Sequence, residues 1–306
     1  MRTAFIEELI IQARHNPRLF LVVGDLGYSV IEPFAAEFPD RYLNAGVAEQ
    51  NMTGLAAGLA SEGYHVFTYS IANFPTLRCL EQIRNDICYH DLPVTVVAVG
   101  AGLSYGNLGY SHHAVQDIAI LRTLPGMHIL SPADPGEARA AVQWLSANPR
   151  PSYLRLGKAG EKQLYTAGPL SQDPIVVRHG NSDVALVATG SVLEVALETA
   201  IQETLEGRTS PTIISMPWVH PTTVGMKKVF GQFKTVICIE EHITEGGIRE
   251  MLTSILPRTI EVAGVSLRSE AAVTVGSQKF LRTMEGLSVK AVQELLAERA
   301  GEGFGL

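Results

Sequence analysis

The 306 residues are 46% hydrophobic and 18% charged, with a net charge of −7 at neutral pH. That length suits about two domains with ample core, and the acidic balance argues against nucleic acid or an anionic membrane as partner. No apolar run approaches the ~18–20 residues of a membrane span, and the start, MRTAFIEELI, is charged and amphipathic with no secretory apolar region. Cys79, Cys88 and Cys238 are scattered and form no C-x-x-C pair. Neither a disulfide framework nor a zinc site is expected, and a reducing cytoplasm is the simplest compartment.

Short β-rich runs at 19–23, 66–68, 94–99, 127–130 and 153–156 alternate with amphipathic segments such as 3–14, 76–91 and 135–147. Alternation of this kind predicts a mostly parallel sheet with helices on both faces. Between the first two runs, NAGVAEQNMTGLAAGLA (44–60) reads as a helix of small residues with Glu49 at its start. Gly54 and Gly58, with Ala56, Ala57 and Ala60, give that helix a face another backbone can approach closely. A glutamate in a first turn is favoured by the helix dipole whether or not it has chemistry to do. Ser131 and Asp134, near Pro132 and Pro135, mark a further helix start. From 158 to 173 the chain is polar, with Gly and Pro, and reads as a surface linker. A second series follows: runs at 184–188, 212–216 and 235–239, helices at 193–204 and 289–300, then a Gly-rich tail, 301–306, expected to fray. The expected architecture is two three-layer α/β domains with mostly parallel sheets, residues 1–160 and 175–306, joined by a linker over 161–174.

The loop SYGNLGYSHH (104–113) follows the run at 94–99, which places it at the carboxyl end of a parallel strand, where α/β sheets bind ligands. Its adjacent histidines do not both face one metal easily, and no third ligand lies at zinc spacing. The plain alternative is a Gly-rich loop with incidental histidines. Gly24-Asp25-Leu26-Gly27 lacks the G-x-G-x-x-G fingerprint, which argues against a dinucleotide-binding oxidoreductase. Thr189-Gly190-Ser191, between a strand and a helix, could take an anion on backbone N–H groups. A lone Phe74 is ordinarily core, and Arg78, Arg155 and Lys158 suit a solvated surface.

The pattern G-V-A-E-Q-N-x-x-x-x-A-A-G-L-A (46–60), with Gly24-Asp25-Leu26 before it and Asn73-Phe74 after it, resembles the pyrimidine-binding domain of transketolase-type thiamine diphosphate enzymes. These include transketolase, deoxyxylulose-phosphate synthase and the β subunits of 2-oxo acid dehydrogenases. Gly109-Tyr110-Ser111-His112-His113 is similar to the G-x-x-H-Q loop of transketolase, and QDIAILRTLPGMHILSPAD (116–134) continues the likeness without gaps. The resemblance extends over essentially the whole chain but only the second half of a full-length transketolase.

The resemblance implies roles. Glu49 would hydrogen-bond N1′ of the cofactor's aminopyrimidine, Phe74 would stack on that ring, and Arg78 would neighbour it as in deoxyxylulose-phosphate synthase. Asp25 would lie near the cofactor. His112, with His113 beside it, would contact substrate oxygens. Arg2 lies 23 residues before Asp25, the family's spacing between a phosphate-binding arginine and that aspartate. Arg155 and Lys158, in YLRLGK, stand where a second phosphate-binding arginine is carried. Lys158 is the nearer match, although an arginine fork suits a sugar phosphate better. Glu240-Glu241-His242 and Gly246-Gly247 look like a mainly structural turn of the family's C-terminal domain.

The family's metal motif, G-D-G followed later by N, is missing, because Gly24-Asp25 is followed by Leu26. Mg²⁺ (or Ca²⁺) and the diphosphate would then be held by a separate N-terminal transketolase-like subunit carrying that motif, in a heterotetramer with the active site between subunits. Two departures bear on specificity. Asn107 and Leu108 stand where transketolase has an aspartate that reads a donor hydroxyl, and Val99-Gly100 stands where it has a further histidine. The implied activity is transfer of a two-carbon ketol unit from a ketose or ketose phosphate to an aldehyde. Alternatives are a 2-oxo acid dehydrogenase β subunit, a deoxyxylulose-phosphate-synthase-like enzyme, and a non-catalytic regulatory module that kept the fold.

Overall fold

The computed structural model describes residues 1–268 and 274–300; the tail 301–306 lies outside the described residues. Among the described residues, twelve strands follow in chain order. β1 is Leu19–Val23, β2 Tyr42–Asn44, β3 His65–Ile71, β4 Val94–Val99, β5 His128–Leu130 and β6 Ser152–Leu156. β7 is Ile175–Arg178, β8 Val184–Thr189, β9 Thr212–Ser215, β10 Trp218–His220, β11 Thr235–Ile243 and β12 Glu261–Leu267. They form a seven-stranded sheet, β10-β5-β6-β4-β3-β1-β2, and a five-stranded sheet, β12-β11-β8-β9-β7. Both are α/β and mostly parallel, as the alternating pattern predicts. β1, β4 and β6 are buried along their whole length, because helices cover both faces of a parallel sheet.

Local signals operate as expected at several places. Asp134 caps helix Pro135–Ala147 by accepting from the Glu137 N–H at 2.9 Å, with proline at the first helical position. Helix Glu49–Ser61 departs from its expectation: it buries Met52, Ala56, Ala57 and Ala60 but leaves Gly54 and Gly58 exposed, so the small residues do not share one packed face.

Two further elements differ from the sequence expectation. The amphipathic segment 76–91 is no single α-helix. It runs from a 3₁₀ turn, Leu77–Cys79, through Leu80–Gln82 into a widened π turn, Ile83–Cys88. The wider turn keeps Ile83, Ile87 and Cys88 all on the buried side. The second difference is β10. It lies beyond the polar segment 158–173 yet joins the first sheet, antiparallel to β5, with Trp218 opposite Leu130. Trp218 meets Trp144 edge-on at 4.7 Å, and burial of this indole locks the strand in place.

The carboxyl ends of β1, β3 and β4 lead into residues 24–27, 72–76 and 100–113. These three segments carry part of the candidate site, and helix Glu49–Ser61, Arg78 and Lys158 supply the rest.

Candidate active site

Glu49 opens helix Glu49–Ser61 and is 1% exposed. Such a carboxylate needs compensation. Arg78 Nη1 donates to Oε2 at 2.6 Å and Ser70 Oγ, from β3, donates to Oε1 at 3.3 Å. Gly24, at the end of β1, admits this arrangement: a Cβ there would stand 3.5 Å from Glu49 Cγ and 3.3 Å from Ser70 Oγ. Arg78 is 45% exposed, so the pair opens to solvent on the arginine side.

The Arg78 guanidinium carbon lies 4.5 Å from the centroid of the Phe74 ring, a cation–π distance. Phe74 is half-buried and sits beyond a tight turn. Ala72 holds that turn at φ +42° and donates its N–H to the Val99 carbonyl at 2.8 Å. A non-glycine residue in the left-handed region persists only where its surroundings hold it. Phe74 also meets the His112 ring edge-on at 5.1 Å. Tyr105 follows at 6.3 Å from His112, and Lys158 Nζ stands 5.0 Å from the Tyr105 ring. Glu49, Arg78, Phe74, His112, Tyr105 and Lys158 thus form one row drawn from separate segments of the chain.

His112 is half-buried, and its Nδ1 pairs with Ser111 Oγ at 2.9 Å. Burial, then the neighbouring His113, pull its pKa below the usual 6.5. The ring is therefore neutral at pH 7 and can take a proton. His113 is buried, with Nε2 3.3 Å from the Gly106 carbonyl. Asn73 Nδ2 donates to the carbonyls of His113, at 2.9 Å, and Ser111, at 3.3 Å, tying the Phe74 turn to the histidine loop.

Asp25 follows Gly24. It sits at φ +56° and is locked to Asn44, whose Nδ2 donates to Asp25 Oδ1 at 2.9 Å and whose Oδ1 accepts from the Asp25 N–H at 3.1 Å. Arg2 is half-buried beside the Tyr69 and Tyr105 rings. Burial raises the pKa of both phenols and the Arg2 charge opposes the rise.

Arg155 is placed differently from the substrate contact expected of it. It is 2% exposed, and its Nε donates to Asp117 Oδ2 at 2.7 Å. Its Nη2 donates to the carbonyls of Ala114, at 2.8 Å, and Glu241, at 3.1 Å. Lys158, three residues on, is exposed and faces the row.

Sequence patterns do not single out Ser70, Asn44 or Tyr105 as parts of this site. Asn73 carries a signal only through its place in the motif beside Phe74. Among the described residues no three His, Cys, Asp or Glu side chains gather where they could hold a metal ion.

Residues 1–161 match the family described as transketolase, pyrimidine binding domain, and residues 174–292 match transketolase, C-terminal domain. The chain belongs to the transketolase family. It is 31% identical over 274 residues to an apulose-4-phosphate transketolase subunit of Phocaeicola vulgatus, covering 86% of each chain. It is 30% identical over 301 residues to the subunit of the same name from Actinobacillus succinogenes, covering 95% of each. A solved split-gene transketolase, an inactive β4 tetramer, superposes with a TM-score of 0.83 at 32% identity, covering 96% of this chain and 97% of that one. The fold is that of this family, and the likeness to split subunits runs nearly end to end.

Proposed function

We propose that this chain is the pyrimidine-binding subunit of a split transketolase-like enzyme that moves a two-carbon ketol unit from a ketose or ketose phosphate to an aldehyde. The observation that supports this most is the buried Glu49 carboxylate in one row with Phe74 and His112. A flat heteroaromatic ring with a polar edge suits such a place: a carboxylate for the edge, an aromatic face for the ring, and an opening toward Arg78. The residues therefore fit thiamine diphosphate, which supplies carbanion stabilisation when bound. Glu49 holds a proton at the pyrimidine N1′, Phe74 orients the ring, and Asp25 and Arg78 border it. His112 moves a proton at substrate oxygens, with His113 fixing the loop behind it. Arg2 and Lys158 are placed to meet an anionic substrate tail, while Arg155 braces the loop from below.

The diphosphate and its Mg²⁺ or Ca²⁺ belong, on this reading, to a separate N-terminal subunit with the G-D-G…N motif. The split-subunit names of the relatives support this, as does the open face of helix Glu49–Ser61, where a Cβ at Gly54 or Gly58 would meet nothing. We place the complex as a cytoplasmic heterotetramer, with domains over residues 1–160 and 175–306. No helix among the described residues is long and apolar enough to cross a membrane, and Cys79, Cys88 and Cys238 are free and buried. A deoxyxylulose-phosphate-synthase-like reaction is the second reading, favoured by Arg78 seated on Glu49.

Calorimetry tests the split. The isolated chain with Mg²⁺ should bind thiamine diphosphate only weakly, and tight binding and turnover should appear after assembly with a G-D-G…N subunit. Sub-micromolar affinity in this chain alone would overturn the proposal. Release of carbon dioxide from a 2-oxo acid donor, without ketose turnover, would select the second reading.

A further inference from the structure

We propose that Glu241, on β11 of the C-terminal domain, is a positioning residue that clamps the neck of the His112 loop, so that the second domain sets where His112 stands. The inference rests on His112 acting at the substrate, as proposed above.

The loop leaves β4 and returns at Ala114. Its neck is a two-bond bridge, with Gly102 N–H to Ala114 carbonyl and Ala114 N–H to Gly102 carbonyl, both 2.9 Å. Glu241 grips both sides of that neck. Its Oε1 accepts from the Leu103 N–H at 3.1 Å. Its backbone carbonyl accepts from Arg155 Nη2, which also donates to the Ala114 carbonyl. Gly102 makes room for the grip: it sits at φ +60°, and a Cβ there would come 2.5 Å from Glu241 Cγ.

The carboxylate is 3% exposed, so every partner counts. Gln278 Nε2 donates to both oxygens, at 3.1 and 3.0 Å, and lies 3.2 Å from Ser104 Oγ within the loop. Arg282 Nη2 donates to Oε2 at 2.6 Å. The same segment reaches further along the loop. Gly276 N–H donates to the Gly106 carbonyl at 3.2 Å, and Leu281 packs where a Gly106 side chain would stand. A residue needed only to fill space here would be apolar. A buried carboxylate held by Leu103, Gln278 and Arg282 fixes direction as well as position. None of these contacts reaches Glu49, whose partners are Arg78 and Ser70. The clamp therefore acts first on the substrate side of the site and leaves the partners of Glu49 untouched.

The test uses the assembled two-subunit enzyme and three readouts: backbone amide exchange, C2–H exchange of bound thiamine diphosphate, and ketol transfer. In Glu241→Ala, amides at 102–114 should exchange at least about tenfold faster, with those of helix Glu49–Ser61 unchanged. Transfer should fall about 10²-fold, as a misplacement of about 1 Å would produce, while C2–H exchange stays at the wild-type rate. Glu241→Gln keeps an acceptor for Leu103 and should recover part of the transfer. If Glu241→Ala does not assemble, Gln278→Leu carries the test, with the same pattern at smaller size. Wild-type loop amides and transfer in these variants would overturn the clamp, and so would equal loosening of the loop and helix Glu49–Ser61. His112→Ala, run in parallel, separates the two claims. Unchanged transfer there, beside loosened loop amides in Glu241→Ala, would refute the role of His112 and leave the clamp standing.

Discussion

The carboxyl ends of the two sheets present similar residue types to very different effect. In the second sheet the polar groups at the strand ends satisfy one another. Glu240 accepts from the N–H groups of Ile248, at 2.7 Å, and Arg249, at 3.2 Å, capping helix Ile248–Ile255. Glu241 is held by Leu103, Gln278 and Arg282. His242 Nε2 accepts from the Ala119 N–H at 3.3 Å. Gly190 N–H donates to the Ser131 carbonyl, and Ser191 Oγ accepts from Arg282. In the first sheet the corresponding ends stay open to solvent. Arg78 is exposed over Glu49, and Phe74 and His112 are only half-buried. A sheet end binds a ligand where its polar groups are prearranged but unfilled, and the strand order by itself decides nothing.

Four substitutions sharpen or break that contrast. The largest effect is expected at Glu49, whose proposed role is chemical. Glu49→Gln keeps shape and hydrogen bonding but loses the acid, so C2–H exchange of bound cofactor, followed by NMR, should slow by roughly 10²–10⁴-fold with the fold intact. Wild-type exchange would remove Glu49 from the mechanism. Next comes the buried pair beneath the histidine loop. Arg155→Met leaves Asp117 buried without its cation and should destabilise the chain by about 3–5 kcal/mol in denaturant unfolding. Adding Asp117→Leu should restore only part of that loss, because the buried Tyr153 hydroxyl then loses its acceptor. If the single variant is as stable as wild type, Arg155 is no brace.

The smallest effect is a pH dependence with opposite signs in two groups. Burial lowers His65 and His242 from 6.5 to about 4. Their stabilisation is full above pH 6.5 and is lost as pH falls toward 4. Burial raises Glu240 from 4.5 to about 7, against its backbone donors. Its contribution is full below pH 4.5 and is lost as pH rises through 7. The two slopes oppose each other between pH 4.5 and 6.5. Glu240→Gln should therefore steepen the acid loss of stability in that window by about 1.4 kcal/mol per pH unit. An unchanged slope between pH 6.5 and 5 would show that Glu240 is ionised throughout.

Much of the molecule is legible in the chain because it is local. Alternating runs and helices announce the sheets, Asp134 with Pro135 announces a helix start, and Glu49, Phe74 and His112 stand in short patterns with recognisable neighbours. The illegible parts join distant residues. Glu241 reaches Leu103 across 138 positions, and no periodicity marks such a bond. Arg155 reads from sequence as a strand-end cation like Lys158. Only the packing of Asp117 and Ala114 against it distinguishes an internal brace from a residue facing the site. The π turn at Ile83–Cys88 escapes a sequence reading because its apolar spacing is compatible with an ordinary helix.

The strand β10 makes the molecule a poor candidate for division. Its partner β5 precedes it by about 90 positions, so on the ribosome the first sheet stays incomplete until most of the second has been synthesised. Residues 1–160 made alone would leave β5 as an unpaired edge with one side of Trp144 uncovered, the kind of edge that recruits other chains. The two sheets share a biogenesis as well as a contact surface, and a protease that nicks the linker would leave both fragments bound together.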